Sequence, residues 1–158
     1  MRIASTRFGP LDIHDEKVLT FPSGILGFSD WTKYVLLDHD TDVAFKWLQC
    51  AEEGSLAFVI MDPALFKPDY QVEIPDEALA EVKGRDADDL ALMTILTIPS
   101  EDPARITANL RGPILMNWRT KLCKQLVLDE RYPTRYPLFS GDQLQPSRSA
   151  QPQAACQS

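Results

Sequence analysis

Apolar and polar residues alternate in short runs along most of this chain, at 2–8, 11–14, 17–21, 34–37, 45–50 and 56–61. A period of two puts successive side chains on opposite faces of a strand, and clusters such as Pro22-Ser23-Gly24 and Glu52-Glu53-Gly54 separate the runs as turns do. Gly9-Pro10 reads as a further turn. The pattern resumes at 90–98, 106–110, 114–118 and 122–128. One segment, 76–83, departs from it: Asp76 stands as an N-cap acid, Leu79 and Val82 are spaced i, i+3, and Gly84 follows at the stop position. Pro75 blocks any extension upstream, and Glu77 and Glu81 repel at i, i+4, so packing has to hold this helix. The expected fold is mainly β, a small antiparallel β-barrel or sandwich with one short helix. From Ser140 onward the chain turns to Gln, Pro, Ser and Ala, with Leu144 its only large apolar residue. Residues 140–158 are therefore expected to form a disordered tail behind a single domain at 1–139.

Composition adds little to that picture, since 158 residues at 44% hydrophobic and 25% charged suit one folded domain. Charge adds more. The chain has 23 acids and 16 Lys or Arg, a net charge of −7, which is the wrong sign for neutralising nucleic-acid phosphates or an anionic membrane. The split is uneven: residues 1–104 hold 20 acids and 8 bases, whereas residues 105–158 hold 3 acids and 8 bases. This is either ordinary solvated surface or an acidic face for a basic partner. No stretch approaches the ~18 continuous apolar residues of a membrane span, and residues 1–8 have no apolar leader region. Three scattered cysteines, Cys50, Cys123 and Cys156, fit a reducing cytoplasm and neither a zinc site nor a disulfide framework.

Candidate chemistry is sparse. Asp38, Asp40 and Asp42 are spaced like the start of a calcium loop, but the positions that need Gly and Glu hold Val43 and Gln49. Residues 23–27, Ser-Gly-Ile-Leu-Gly, lack the Lys and Ser/Thr of a phosphate loop and read as backbone geometry in a connection. His14 and His39 are the only histidines, and no nucleophile elbow exists. No catalytic, cofactor or metal site is expected. Tyr70 stands out, because Lys67-Pro68-Asp69 precedes it and the alternating Gln71-Val72-Glu73-Ile74 follows. It is either a structural corner or an exposed aromatic and acid open to a partner.

Taken together, several segments resemble the flagellar assembly factor FliW family. They are Phe-Pro-Ser-Gly-Ile-Leu-Gly-Phe at 21–28, the runs at 45–49 and 56–59 leading to Asp62-Pro63, and Pro68-Asp69-Tyr70. The most specific is Ile-Thr-Ala-Asn-Leu-Arg-Gly-Pro-Ile at 106–114, followed by Asn117, Lys124-Gln125-Leu126-Val127-Leu128, Tyr132 and Pro137-Leu138-Phe139. The matches run in order over residues 1–139. Cys123 stands where the family usually has Gly, Gly112 where it usually has Ala or another small residue, and Ser29 where an acid is common.

The resemblance implies a cytoplasmic, non-enzymatic β protein that switches partners. It would bind flagellin, as a chaperone does, and also the small basic translational repressor CsrA. Plentiful flagellin would occupy it and leave CsrA free to repress; export of flagellin would release it to antagonise CsrA. An acidic chain suits a basic RNA-binding partner and would itself be repelled by RNA. The residues singled out for partner binding are Asp69, Tyr70, Glu73 and Ile74, with the Asn109 and Phe139 regions as further candidates. A small β-barrel that binds a metabolite or acts as an enzyme would instead show a deep apolar pocket. An oligonucleotide-binding barrel would gather Arg105, Arg111, Arg119, Lys121 and Lys124 on one face.

Overall fold

The computed structural model describes residues 2–38, 45–85, 87–99 and 105–138; there the alternating runs form nine strands, a tenth lies at 136–137 outside any run, and one short α-helix accompanies them. They are β1 (Arg2–Ser5), β2 (Gly9–Asp12), β3 (Val18–Thr20), β4 (Lys33–Asp38), β5 (Lys46–Cys50), β6 (Ala57–Met61), α1 (Asp76–Glu81), β7 (Leu90–Thr97), β8 (Thr107–Asn117), β9 (Leu122–Gln125) and β10 (Tyr136–Pro137). Strands β3 to β8 meander, and β9 pairs with β8 on one side and with β3 on the other, which closes a seven-stranded barrel. The seam between β3 and β9 is parallel and pairs Thr20 with Leu122. Of the two expected architectures, the barrel is the one formed. The Asp40 and Asp42 cluster with His39, Phe139 and the 140–158 tail lie outside the described residues.

Alternation decides what each face buries. Inward-facing Phe21, Tyr34, Leu48, Ile60, Ile114 and Met116 are fully buried and fill the barrel. The outer face is covered too. Phe45, Leu96, Ile106 and Leu110 form a second core beneath Tyr70, Tyr132 and Tyr136, while Leu115 and Leu126 form a third beneath Ala78 of α1 and its C-cap Val82. Residues 62–81 therefore act as a strap across the outside of the barrel, joining the second core to the third.

Four local expectations need correction. The run at 2–8 breaks after Ser5, whose hydroxyl accepts from the backbone N–H groups of Arg7 and Phe8 and so closes the turn there. Gly9-Pro10 then belongs to β2 and not to a turn; Pro10 faces Ala4 in a two-stranded sheet whose open edge tolerates its missing N–H. In α1 the N-cap is Pro75, not Asp76, and the buried face is Ala78 and Val82, at i, i+4. Lys83, at φ 54°, takes the left-handed position expected of Gly84, and the N–H groups of Lys83 and Gly84 close the helix on the carbonyls of Ala80 and Leu79. Glu81 does find partners, the Lys124 ammonium at 3.4 Å and the Ser23 hydroxyl at 2.7 Å, so pairing supplements packing.

The fourth correction matters most. The runs at 106–110 and 114–118 are one strand, β8, whose register against β7 jumps from Ile95 opposite Asn109 to Met93 opposite Ile114. Two steps along β7 thus span five along β8, and the surplus forms a large bulge at Leu110, Arg111, Gly112 and Pro113.

Candidate protein-binding site

The bulge satisfies its own backbone. Asn109 Oδ1 accepts from the N–H groups of Arg111 and Gly112, both at 3.0 Å, and holds the chain in a side-chain-closed turn. The Leu110 N–H donates to the Pro133 carbonyl, and the carbonyls of Arg111 and Pro113 accept from Leu128 and Leu126. Pro113 has no N–H to satisfy, which suits it to a bulge. Buried Gln125 donates from Nε2 to the Gly112 carbonyl at 3.0 Å and accepts from the Leu26 N–H at 2.8 Å, joining the bulge to the loop after β3. A Cβ at position 112 would stand 2.7 Å from Gln125 Nε2, so glycine gives this bond its room.

The strap is clasped to the same bulge. The Tyr70 hydroxyl donates to the Leu110 carbonyl at 2.6 Å, and the Tyr132 hydroxyl donates to the Gln71 carbonyl at 2.8 Å. The two rings meet edge to face, with centroids 5.8 Å apart, and Arg111 Nε donates to the Tyr132 carbonyl. Burial, with the neighbouring Tyr132 second, raises the Tyr70 phenol far above its ordinary range, so it stays a proton donor. Of the two readings of Tyr70, the corner is built. Its ring is half-buried, and Asp69 beside it stays exposed.

The other singled-out residues are spread along this joint. Asp69 pairs with Lys67 at 3.1 Å and keeps 82% of its side chain exposed. Glu73 is exposed, and Ile74 is half-buried against the third core. Tyr70 and Asn109 meet through Leu110; Glu73 and Ile74 lie further along the strap, and Phe139 is outside the described residues. Acids dominate here: residues 68–81 hold Asp69, Glu73, Asp76, Glu77 and Glu81 with no Lys or Arg.

Sequence reasoning missed the exposed apolar residues beside the joint. Leu26 is 64% and Val127 69% exposed, and they flank the Gln125 bridge. The signal was present in the Ile-Leu-Gly-Phe loop, where an apolar residue between a core isoleucine and a glycine has nothing of its own to pack on.

Cys50 and Cys123 are buried free thiols, and burial pushes both pKa values up, that of Cys123 to about 12. Among the described residues no group of three His, Cys, Asp or Glu is placed to hold a metal ion. The basic residues at 105–124 do not make one open stripe: Arg119 pairs with Asp89, Lys124 with Glu81, and Arg111 is held by Tyr132. Among the described residues no helix is long and apolar enough to cross a membrane.

The profile of the family described as FliW protein matches residues 2–138, the span that contains the barrel, strap and bulge. The chain belongs to the FliW family. It is 40% identical to the flagellar assembly factor FliW of Alkaliphilus metalliredigens over 159 aligned positions, covering 99% of this chain and 98% of the relative. FliW of Syntrophus aciditrophicus is 42% identical over 140 positions, covering 88% of each chain. A crystal structure of the flagellar assembly factor FliW superposes with a TM-score of 0.80 at 33% identity, covering 89% of this chain and 98% of that one. The FliW resemblance read from the 21–28, 68–70 and 106–114 motifs is thus the family itself.

Proposed function

We propose that this chain is a cytoplasmic flagellar assembly factor that works by binding proteins and not by catalysis. It binds flagellin, and when flagellin is exported it binds the repressor CsrA and lifts repression. The observation that carries this reading is the FliW match over residues 2–138, with the motifs at 68–70 and 106–114 meeting in one clasp.

The strap is the partner-binding surface in this reading. Asp69, Glu73, Asp76 and Glu77 give it exposed negative charge for a basic partner, Tyr70 and Ile74 supply the half-buried apolar flank, and Asn109 of the bulge adjoins it through Leu110; Phe139, outside the described residues, remains a further candidate from the sequence. The same charge keeps RNA away from this protein, so antagonism of CsrA acts on the protein and not through the message. The test is calorimetric titration with purified CsrA and flagellin, comparing the native chain with Asp69→Lys/Glu73→Lys. Weaker binding of CsrA by the double variant, at unchanged thermal stability, supports the site. Equal binding moves it elsewhere.

A further inference from the structure

The barrel has an open mouth whose chemistry differs from the rest of the surface. Leu19 of β3, Met116 of β8 and Cys123 of β9 face the interior, and Leu36 of β4 packs against that core. Just beyond these strand ends stand Lys17, in the turn before β3, and Trp118 and Lys121, in the turn between β8 and β9. There they line a cavity of about 220 Å³ with Leu19 and Leu36 as its floor. Trp118 is 37% exposed. The volume is below the ~300–1,000 Å³ that encloses a whole drug-sized ligand, and it suits a single large side chain.

Charge selects the occupant. Lys121, at φ 64°, donates its ammonium to the Trp118 carbonyl at 2.7 Å, a contact that fixes the group without neutralising it. Lys17 makes no ion pair among the described residues. On the other side of the same turn, a second cleft of about 390 Å³ holds Lys83, Arg85 and Arg119. Of these, Arg119 alone has a carboxylate partner among the described residues. The lining of the mouth thus carries two ammonium groups, an exposed tryptophan and no carboxylate, with Asp15 and Glu16 beside Lys17 in its turn and Asp89 engaged by Arg119.

We propose that this mouth docks an acidic peptide, which inserts one large apolar side chain between Trp118 and the Leu19–Leu36 floor and sets its carboxylates against Lys17 and Lys121. Single-stranded nucleic acid is held by stacking successive bases on several aromatics along a basic groove, whereas Trp118 is the one aromatic lining this cavity, which favours a peptide over an oligonucleotide. These residues are separate from the acidic strap, so the inference stands or falls apart from the CsrA reading.

The experiment is an ¹H–¹⁵N NMR titration of the full chain with the blocked peptide Glu-Asp-Phe-Asp-Glu. Its controls are the same peptide with Ala for Phe, the neutral peptide Gln-Asn-Phe-Asn-Gln and an oligouridine. The expected result is movement of the Trp118 indole and of the Lys17 and Lys121 amides with the acidic Phe peptide, and affinity about tenfold or more lower for each control peptide. Lys17→Glu, at an exposed position with no side-chain bond among the described residues, should fold normally and lose the response. The proposal is overturned if no resonance at the mouth moves, if the neutral peptide binds equally, or if oligouridine binds more tightly.

Discussion

The hydroxyl of Tyr70 donates to the carbonyl oxygen of Leu110 at 2.6 Å, and this bond ties the strap to the β8 bulge across 40 residues of sequence. Leu110 is fully buried, so its carbonyl has no water to replace a lost partner. Tyr70→Phe should therefore cost about 1–3 kcal/mol. Tyr132→Phe frees an exposed acceptor at Gln71 that water can satisfy, and should cost less than about 0.5 kcal/mol. Urea denaturation of the two variants checks the difference; equal losses would mean that the Leu110 bond does not hold the strap.

The N-terminal hairpin makes a second joint. The Thr6 N–H donates to the Gly54 carbonyl, and a Cβ at Gly54 would collide with the carbonyl oxygen of Ala4. Gly54→Ala should lift β1 and β2 off the barrel. Arg7, 4.3 Å above the Trp47 ring, and Phe8, 5.7 Å from it, would leave with them. The Trp47 indole resonance should move while the Trp118 resonance stays; an unmoved Trp47 would contradict this docking.

The buried thiols predict the alkaline behaviour. The Cys123 pKa rises from an ordinary 9.0 to about 12 because burial disfavours the thiolate. A raised folded-state pKa gives stability that is complete below about 9 and is lost as pH climbs toward 12. Cys50, Tyr34 and Tyr70 shift in the same direction. Stability should fall above pH 9, less steeply in Cys123→Ala. In a Cys156→Ser background, neither remaining thiol should react with a disulfide reagent at neutral pH until the chain is denatured.

The strands were legible because a half-buried strand imposes a period of two on its residues, and the runs at 34–37, 45–50 and 90–98 fall within one residue or so of β4, β5 and β7. The single β8 strand was not legible. Gly112-Pro113 carries the composition of a turn, and only the distant partners Gln125, Leu126, Leu128 and Tyr70 turn it into a bulge. The Lys83 cap was hidden for a similar reason: a left-handed position favours Gly, and the neighbouring Gly84 drew the reading one residue too far. At the site, Tyr70 and Asp69 were legible as unusual. Which of them faces solvent depended on a carbonyl 40 residues away.

Electrostatics gives a prediction for the proposed antagonism. Docked on CsrA, the acidic strap would repel RNA phosphates through a field that decays over about 8 Å at physiological salt. The ratio of RNA affinities, free CsrA over complexed CsrA, should shrink toward one as salt rises, while both affinities fall. A ratio that stays flat would assign the antagonism to a change in CsrA's shape.

The measurement closest to the central claim is calorimetric titration of CsrA into this chain, first alone and then with saturating flagellin. The account predicts binding in the first titration and its loss in the second, since flagellin is proposed to hold the chain away from CsrA. Absence of binding in both, or undiminished CsrA binding beside flagellin, would contradict it.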